Sequence, residues 1–135
     1  MTSSTLLPCP CGRVVAKKPL AFDACCARYL DHFNATPAPD AESLMRSRYS
    51  AFVLGRTDYL AATWHPSMRP GDVAADSGTR WLGLEVREHR VIDVDHAEVM
   101  FVARYRLAGR GVRIDERSRF VREDGRWHYV NGDLL

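Results

Sequence analysis

Glu98-Val99-Met100-Phe101-Val102-Ala103-Arg104-Tyr105-Arg106-Leu107, followed by Val112-Arg113-Ile114-Asp115-Glu116-Arg117-Ser118-Arg119-Phe120, decides the fold. In the first run Val99, Phe101, Ala103, Tyr105 and Leu107 fall on one parity, and in the second Val112, Ile114, Glu116, Ser118 and Phe120 do. A period of two marks β-strands with one face toward a core. The opposite parity carries Arg104, Arg106, Arg113, Arg117 and Arg119, which therefore point outward. Downstream, Asp124-Gly125 forms a tight hairpin turn, and Trp127 and Tyr129 face inward on a last strand. Upstream, the period of two begins at Thr79. Trp81, Gly83 and Leu84 to Val86 make a strand, which Arg90 to Val94 continues or follows.

Ahead of these strands the period is helical. Asp40 is placed to cap a helix that runs to about Leu54, where Gly55 ends it. Ala41, Leu44, Met45, Arg48, Tyr49, Phe52 and Val53 recur at helical spacing and mark one face, with Arg48 as the odd member. A second helix is expected over Asp58 to Trp64, stopped before Pro66. Ser67 to Gly78, rich in Pro and Gly, reads as a loop. Helices followed by a run of antiparallel strands give an α+β fold, in which an apolar sheet face must curl over the helices to be buried.

All four cysteines of the 135-residue chain lie between positions 9 and 26. Cys9-Pro10-Cys11-Gly12 is a stiff, sharp turn, and Cys25-Cys26 is expected in the first turn of a helix capped by Asp23. Thiolates there are favoured by the helix dipole, and Lys17, Lys18 and Arg28 offset the charge of four sulfurs on one ion. The expected cofactor is a structural zinc held by Cys9, Cys11, Cys25 and Cys26, since four protein ligands leave no open position. Disulfides, an iron–sulfur cluster and a redox switch are the alternatives. Met1 to Pro8 lacks the basic start and apolar run of a secretory signal. No stretch reaches the roughly 18 apolar residues of a membrane span, so a cytoplasmic location is expected, where thiols stay reduced. A net charge of +2 is too small to argue for nucleic acid.

The cysteine segment resembles the SEC-C motif, on Cys9-Pro10-Cys11-Gly12 and Cys25-Cys26, with a longer loop than is usual between the pairs. Leu44-Met45-Arg46-Ser47-Arg48-Tyr49-Ser50-Ala51-Phe52, Ala62-Thr63-Trp64-His65-Pro66, Trp81-Leu82-Gly83-Leu84, Glu116-Arg117-Ser118-Arg119-Phe120 and Asp124-Gly125-Arg126-Trp127 resemble the YchJ family. The resemblance implies a SEC-C-like zinc-binding module over 1–33 and a nuclear-transport-factor-2-like cone over 40–135, joined by the Asn34 to Pro39 linker. It leaves the activity open.

Chemistry is sought at the odd polar residues. Arg48 on the helix stripe and Glu116 and Ser118 on the inner strand face either form an internal salt bridge or project into the cone. In the second case Arg48, Tyr49, Trp64, His65, Trp81, Tyr105, Glu116, Ser118, Trp127 and Tyr129 make a ligand pocket. His65 is a capping residue or a general base at its mouth, and His32, His89, His96 and His128 read as surface or hairpin residues. P-loop, dinucleotide and nucleophile-elbow motifs are absent. The expected function is a zinc-binding adaptor or small-ligand-binding protein. Its partner is a protein or ribonucleoprotein docked on the zinc module, or a small molecule in the cone. A small enzyme using Glu116 or His65 as acid or base is the alternative. Nucleic-acid binding through the arginine face is another, set against a solvated or homodimer-forming face.

Overall fold

The computed structural model describes residues 7–73 and 78–135. The reading of Met1 to Leu6 and the part of the loop at 74–77 lie outside these residues. The chain runs β1 (Val14–Val15), β2 (Lys18–Pro19), a 3₁₀ turn (Phe22–Ala24), α1 (Ala27–Leu30), α2 (Ala41–Leu54), α3 (Thr57–Ala62), β3 (Arg80–Asp93), β4 (His96–Leu107), β5 (Arg110–Glu123) and β6 (Arg126–Leu134). This is the expected α+β order. The large sheet is an antiparallel meander in which spatial order follows chain order, β3-β4-β5-β6. The hairpins at Ala108-Gly109 and Asp124-Gly125 both carry two positive φ angles, as a type I′ turn requires.

Helix α2 is laid across the sheet, packing on β3, β4 and β6. Its start and stop follow the sequence. Asp40 accepts a hydrogen bond from the Ser43 amide at 2.7 Å, and Gly55 ends the helix at φ 71°. Replacing Asp40 with Ala is expected to cost about 1 kcal/mol, or about 4 °C in Tm; an unchanged melting curve would contradict the capping role.

One face was not foreseen. Ser43, Ser47, Ser50 and Ala51 are buried opposite the sheet. Ser50 Oγ lies 3.6 Å from Cys9 Sγ, Ser43 accepts from Arg13 at 3.0 Å, and Ser47 meets the Tyr59 hydroxyl at 2.8 Å. The helix is therefore enclosed on two sides, and only a narrow strip reaches solvent. Val53, expected on the inner stripe, is on that strip at 38% exposed, and Leu107 at the end of β4 is 37% exposed.

The cysteine segment does not hang free on its linker. Arg46 donates to the Cys11 carbonyl at 3.0 Å, Arg56 to the Leu30 carbonyl at 2.9 Å, and Arg126 to the Phe33 carbonyl. Cys9, Cys11, Leu30, Ala38 and Leu44 belong to one hydrophobic cluster with Val99 and Phe120 of the sheet.

Two expectations need correction. Helix α1 begins only at Ala27, with Cys26 as its N-cap and no side chain capping it, so Cys25 and Cys26 precede the helix. The reason is geometric: neighbouring residues in a helix point about 100° apart and could not aim both sulfurs at one point. At Cys25 the backbone leaves the helical region, at φ −129° and ψ −114°. Helix α3 ends at Ala62, not Trp64, because the chain turns to pair with β6: Trp64 bridges Tyr129, and the Tyr129 amide donates to the Thr63 carbonyl at 2.8 Å.

Candidate ligand cavity and candidate metal centre

Between α2 and the inner sheet face lies a cavity of about 180 Å³. Its walls are Met45, Arg48, Tyr49 and Phe52 from α2, Trp64 after α3, Trp81 from β3, Phe101 and Ala103 from β4, Ile114, Glu116 and Ser118 from β5, and Tyr129 from β6. Strand parity and helix spacing thus bring Arg48, Tyr49, Trp64, Trp81, Glu116, Ser118 and Tyr129 together. Met45, Phe52, Phe101, Ala103 and Ile114 complete the wall; most of them were legible as core residues and not as pocket.

His65, Tyr105 and Trp127 are outside it. Tyr105 packs behind Trp81 at 5.2 Å between ring centroids. Trp127 faces inward but sits nearer the hairpin, beside Phe33, Ala38 and Leu44. His65 is held outside: its Nε2 lies 2.7 Å from Glu123 and its Nδ1 accepts from the Ser67 amide at 3.2 Å. This arrangement pins the segment after α3 to the β5–β6 hairpin. Sequence spacing gave no sign of Glu123. The ring of His128 packs against His65 at 5.9 Å, and its buried Nδ1 makes no hydrogen bond among the described residues.

Arg48 and Glu116 do not form the salt bridge considered above. Arg48 is 4% exposed and makes no ion pair within 4.0 Å among the described residues. Both of its hydrogen bonds leave from Nη1, to the Leu60 carbonyl at 2.8 Å and Thr63 Oγ1 at 2.7 Å. Its guanidinium lies against Trp64 and Tyr129, 5.2 and 4.7 Å from their ring centroids, a contact that aromatic quadrupoles favour. Burial lowers the Arg48 pKa to about 10, which leaves the side chain charged at neutral pH.

Glu116 is engaged on its other side. Its Oε2 accepts from Ser118 Oγ at 2.5 Å and from the Tyr129 hydroxyl at 3.4 Å. Burial, then the Glu116 charge, raise Tyr129 to about 12, so the phenol remains a donor. The carboxylate rests on Gly132, where an added Cβ would lie 2.3 Å from Oε2. An isolated glycine in a strand signals such a close approach, although Gly132 is not among the expected site residues.

The four cysteines are buried, and their sulfurs all lie within 4.8 Å of one another. The thiols are free, and Cys11 Sγ is 3.6 Å from Cys25 Sγ, too far for a disulfide. Four sulfurs placed tetrahedrally at about 2.3 Å from an ion would be about 3.8 Å apart. Hydrogen bonds from Cys11, Cys25 and Cys26 hold the Cys9 thiol far below its ordinary range, and Cys25 leads those that bring Cys11 to about 7. The same bonds, first to Cys11, push Cys25 and Cys26 up. Metal binding requires thiolates and so releases protons, and the residues present could hold a metal ion.

On the outer sheet face, Arg104 pairs with Glu85 at 3.8 Å, Arg113 with Asp115 at 3.2 Å, Arg117 with Glu98 at 3.9 Å, and Arg119 with Asp133. Arg122 pairs with Asp95 at 3.4 Å. Among the described residues no helix is long and apolar enough to cross a membrane.

Residues 40–132 match the family described as YchJ, middle NTF2-like domain. A UPF0225 protein of Polaromonas sp. is 64% identical over 135 residues, covering 96% of this chain and 97% of that one. A UPF0225 protein of Bordetella pertussis is 51% identical over 127 residues, covering 93% and 92%. The crystal structure of a SEC-C motif containing protein from Psychrobacter arcticus superposes with a TM-score of 0.81 at 29% identity, over 99% of this chain and 86% of that one. The solution structure of a SEC-C motif containing protein from Rhodopseudomonas palustris gives 0.79 at 29% identity, over 96% and 99%.

Proposed function

This chain belongs to the YchJ family, with its NTF2-like fold and SEC-C cysteines, and from that premise we propose that it is a cytoplasmic small-ligand-binding protein built around a structural zinc ion. The observation that carries the reading is the buried guanidinium of Arg48, which faces a cavity with no carboxylate within 4.0 Å. Buried charges are costly unless paired, so a protein that keeps one open to a cavity keeps it for something that enters. Zinc is the metal chosen because it favours four thiolates in a tetrahedron, and sulfurs 3.6 Å apart are compatible with that geometry. The ion would crosslink the turn at Cys9 to the start of α1 and leave no position for catalysis.

Indole, titrated into the purified protein in a calorimeter, is expected to give a binding heat as it enters the cavity beside Trp64 and Trp81. Ala103→Leu fills the cavity from β4 and is expected to abolish that response while circular dichroism stays native. An unchanged response in the variant, or none in the parent protein, would overturn the cavity reading.

A second reading, docking of a protein or ribonucleoprotein partner, is favoured by the β1–β2 hairpin, where Val14 and Val15 are 55% and 53% exposed beside the exposed Lys17 and Lys18. The acid–base alternative rests on Glu116, the one carboxylate in the cavity wall among the described residues. Nucleic-acid binding and homodimer formation through the sheet would both use arginines that already face carboxylates.

A further inference from the structure

We propose that the cavity selects a small planar aromatic anion, a carboxylate of about ten non-hydrogen atoms, with Arg48 as the selecting residue. The inference rests on the ligand-binding reading above and deepens it by naming the class. Size comes first. An engineered apolar cavity of roughly 150 Å³ takes benzene, so a space of about 180 Å³ takes one six-membered ring with a short substituent. Shape comes second: Tyr49 and Phe52 on the helix side and Trp81 on the sheet side present ring surfaces, with Tyr49 and Trp81 edge to face at 5.4 Å. Flat aromatic walls favour a flat aromatic body.

Charge decides the class. Among the described residues a guanidinium and a carboxyl group, Arg48 and Glu116, line the space, and they are not equivalent. The Glu116 carboxylate has its Oε2 occupied by Ser118 and Tyr129 and is seated on Gly132. Arg48 has Nη1 occupied, while Nη2 and Nε make no hydrogen bond among the described residues. The guanidinium also cannot swing away, because Leu60, Thr63 and the two rings of Trp64 and Tyr129 fix it. The unused donors of a rigid guanidinium match the oxygens of a carboxylate, which can accept two parallel hydrogen bonds. A charge-assisted pair is stronger than its neutral counterpart.

Benzoate, benzamide and benzamidine test the class, since they share size and planarity and differ in charge. Isothermal titration is expected to give benzoate an affinity about ten- to a hundred-fold above benzamide. Arg48→Met is expected to remove that preference, so that benzoate binds no tighter than benzamide, and Glu116→Gln is expected to strengthen benzoate further by deleting a like charge. Should Arg48→Met fail to fold, the Glu116→Gln shift still tests the assignment. Equal binding of benzoate and benzamide would overturn the anion class and leave the ligand cavity standing. Tightest binding of benzamidine would assign selection to Glu116 and overturn the proposal. Binding of none of the three, with none of indole, would remove the cavity reading along with it.

Discussion

Cys25→Ser is expected to strip the protein of its metal and to lower its stability by on the order of 5 kcal/mol. Two consequences of the structure make the effect large. The four sulfurs are buried at the point where the N-terminal segment meets α2, so a lost ligand leaves polar groups in a core instead of at the surface. The other three cysteines are then left as a buried, crowded set of sulfurs without a cation. Elemental mass spectrometry should find one zinc per chain in the parent protein and a substoichiometric amount in the variant. Thermal unfolding should show a drop of well over 10 °C. A variant that melts where the parent does, with its metal retained, would show that Cys25 is not a ligand. A parent protein free of metal when purified under reducing conditions without chelator would rule out the zinc centre as a whole.

The second large effect is expected at a residue with no side chain. In Gly132→Ala the new methyl would occupy the place of the Glu116 carboxylate, 2.3 Å from Oε2 and 2.7 Å from Cδ. Glu116 must leave its seat, giving up its bonds to Ser118 and Tyr129 and leaving the fully buried Ser118 hydroxyl to find another acceptor. Hydrogen bonds to a charged group contribute about 1.5–3 kcal/mol, and a loss of about 2 kcal/mol is expected in denaturant unfolding. The carboxylate is displaced toward the cavity, so indole binding should fall in the same variant. The double variant Glu116→Ala, Gly132→Ala supplies the control. With the carboxylate gone the methyl meets no clash, so the two changes together should cost less than their sum. Strict additivity would show that the glycine is not the seat of Glu116.

Which parts of this structure could be read from the sequence has a physical pattern. Helix α2 was legible at both ends because its signals are local: an aspartate three residues before an amide it can reach, and a glycine where φ must be positive. The inner sheet face was legible because strand parity needs no knowledge of a partner. The same parity could not say how far along a strand the cavity extends. Trp127 and Tyr129 share a face, yet only Tyr129 reaches the space, and Tyr105 is screened from it by Trp81. The odd residues on apolar faces, Arg48 and Glu116, were the right place to look, although they are linked through Tyr129, whose ring lies against Arg48 and whose hydroxyl donates to Glu116, and not by a salt bridge. What stayed hidden depends on distant segments. Glu123 meets His65 from 58 positions away. The serine face of α2 reads as a polar exposed surface until the cysteine segment is laid on it. The cap signal at Asp23 points to a helix that includes Cys25 and Cys26, and convergence of two adjacent sulfurs overrides it.

The packing of the cysteine segment on α2 has a consequence for how the chain can be dissected. Residue 40 is where the match to the NTF2-like domain begins, and it looks like a natural place to cut. A fragment starting there would present the buried side of α2 to water, with Ser43 and Ser50 deprived of Arg13 and Cys9. It would also lose Leu30 and Ala38 from the cluster that holds Leu44 and Phe120. Cutting at residue 40 would divide a single core.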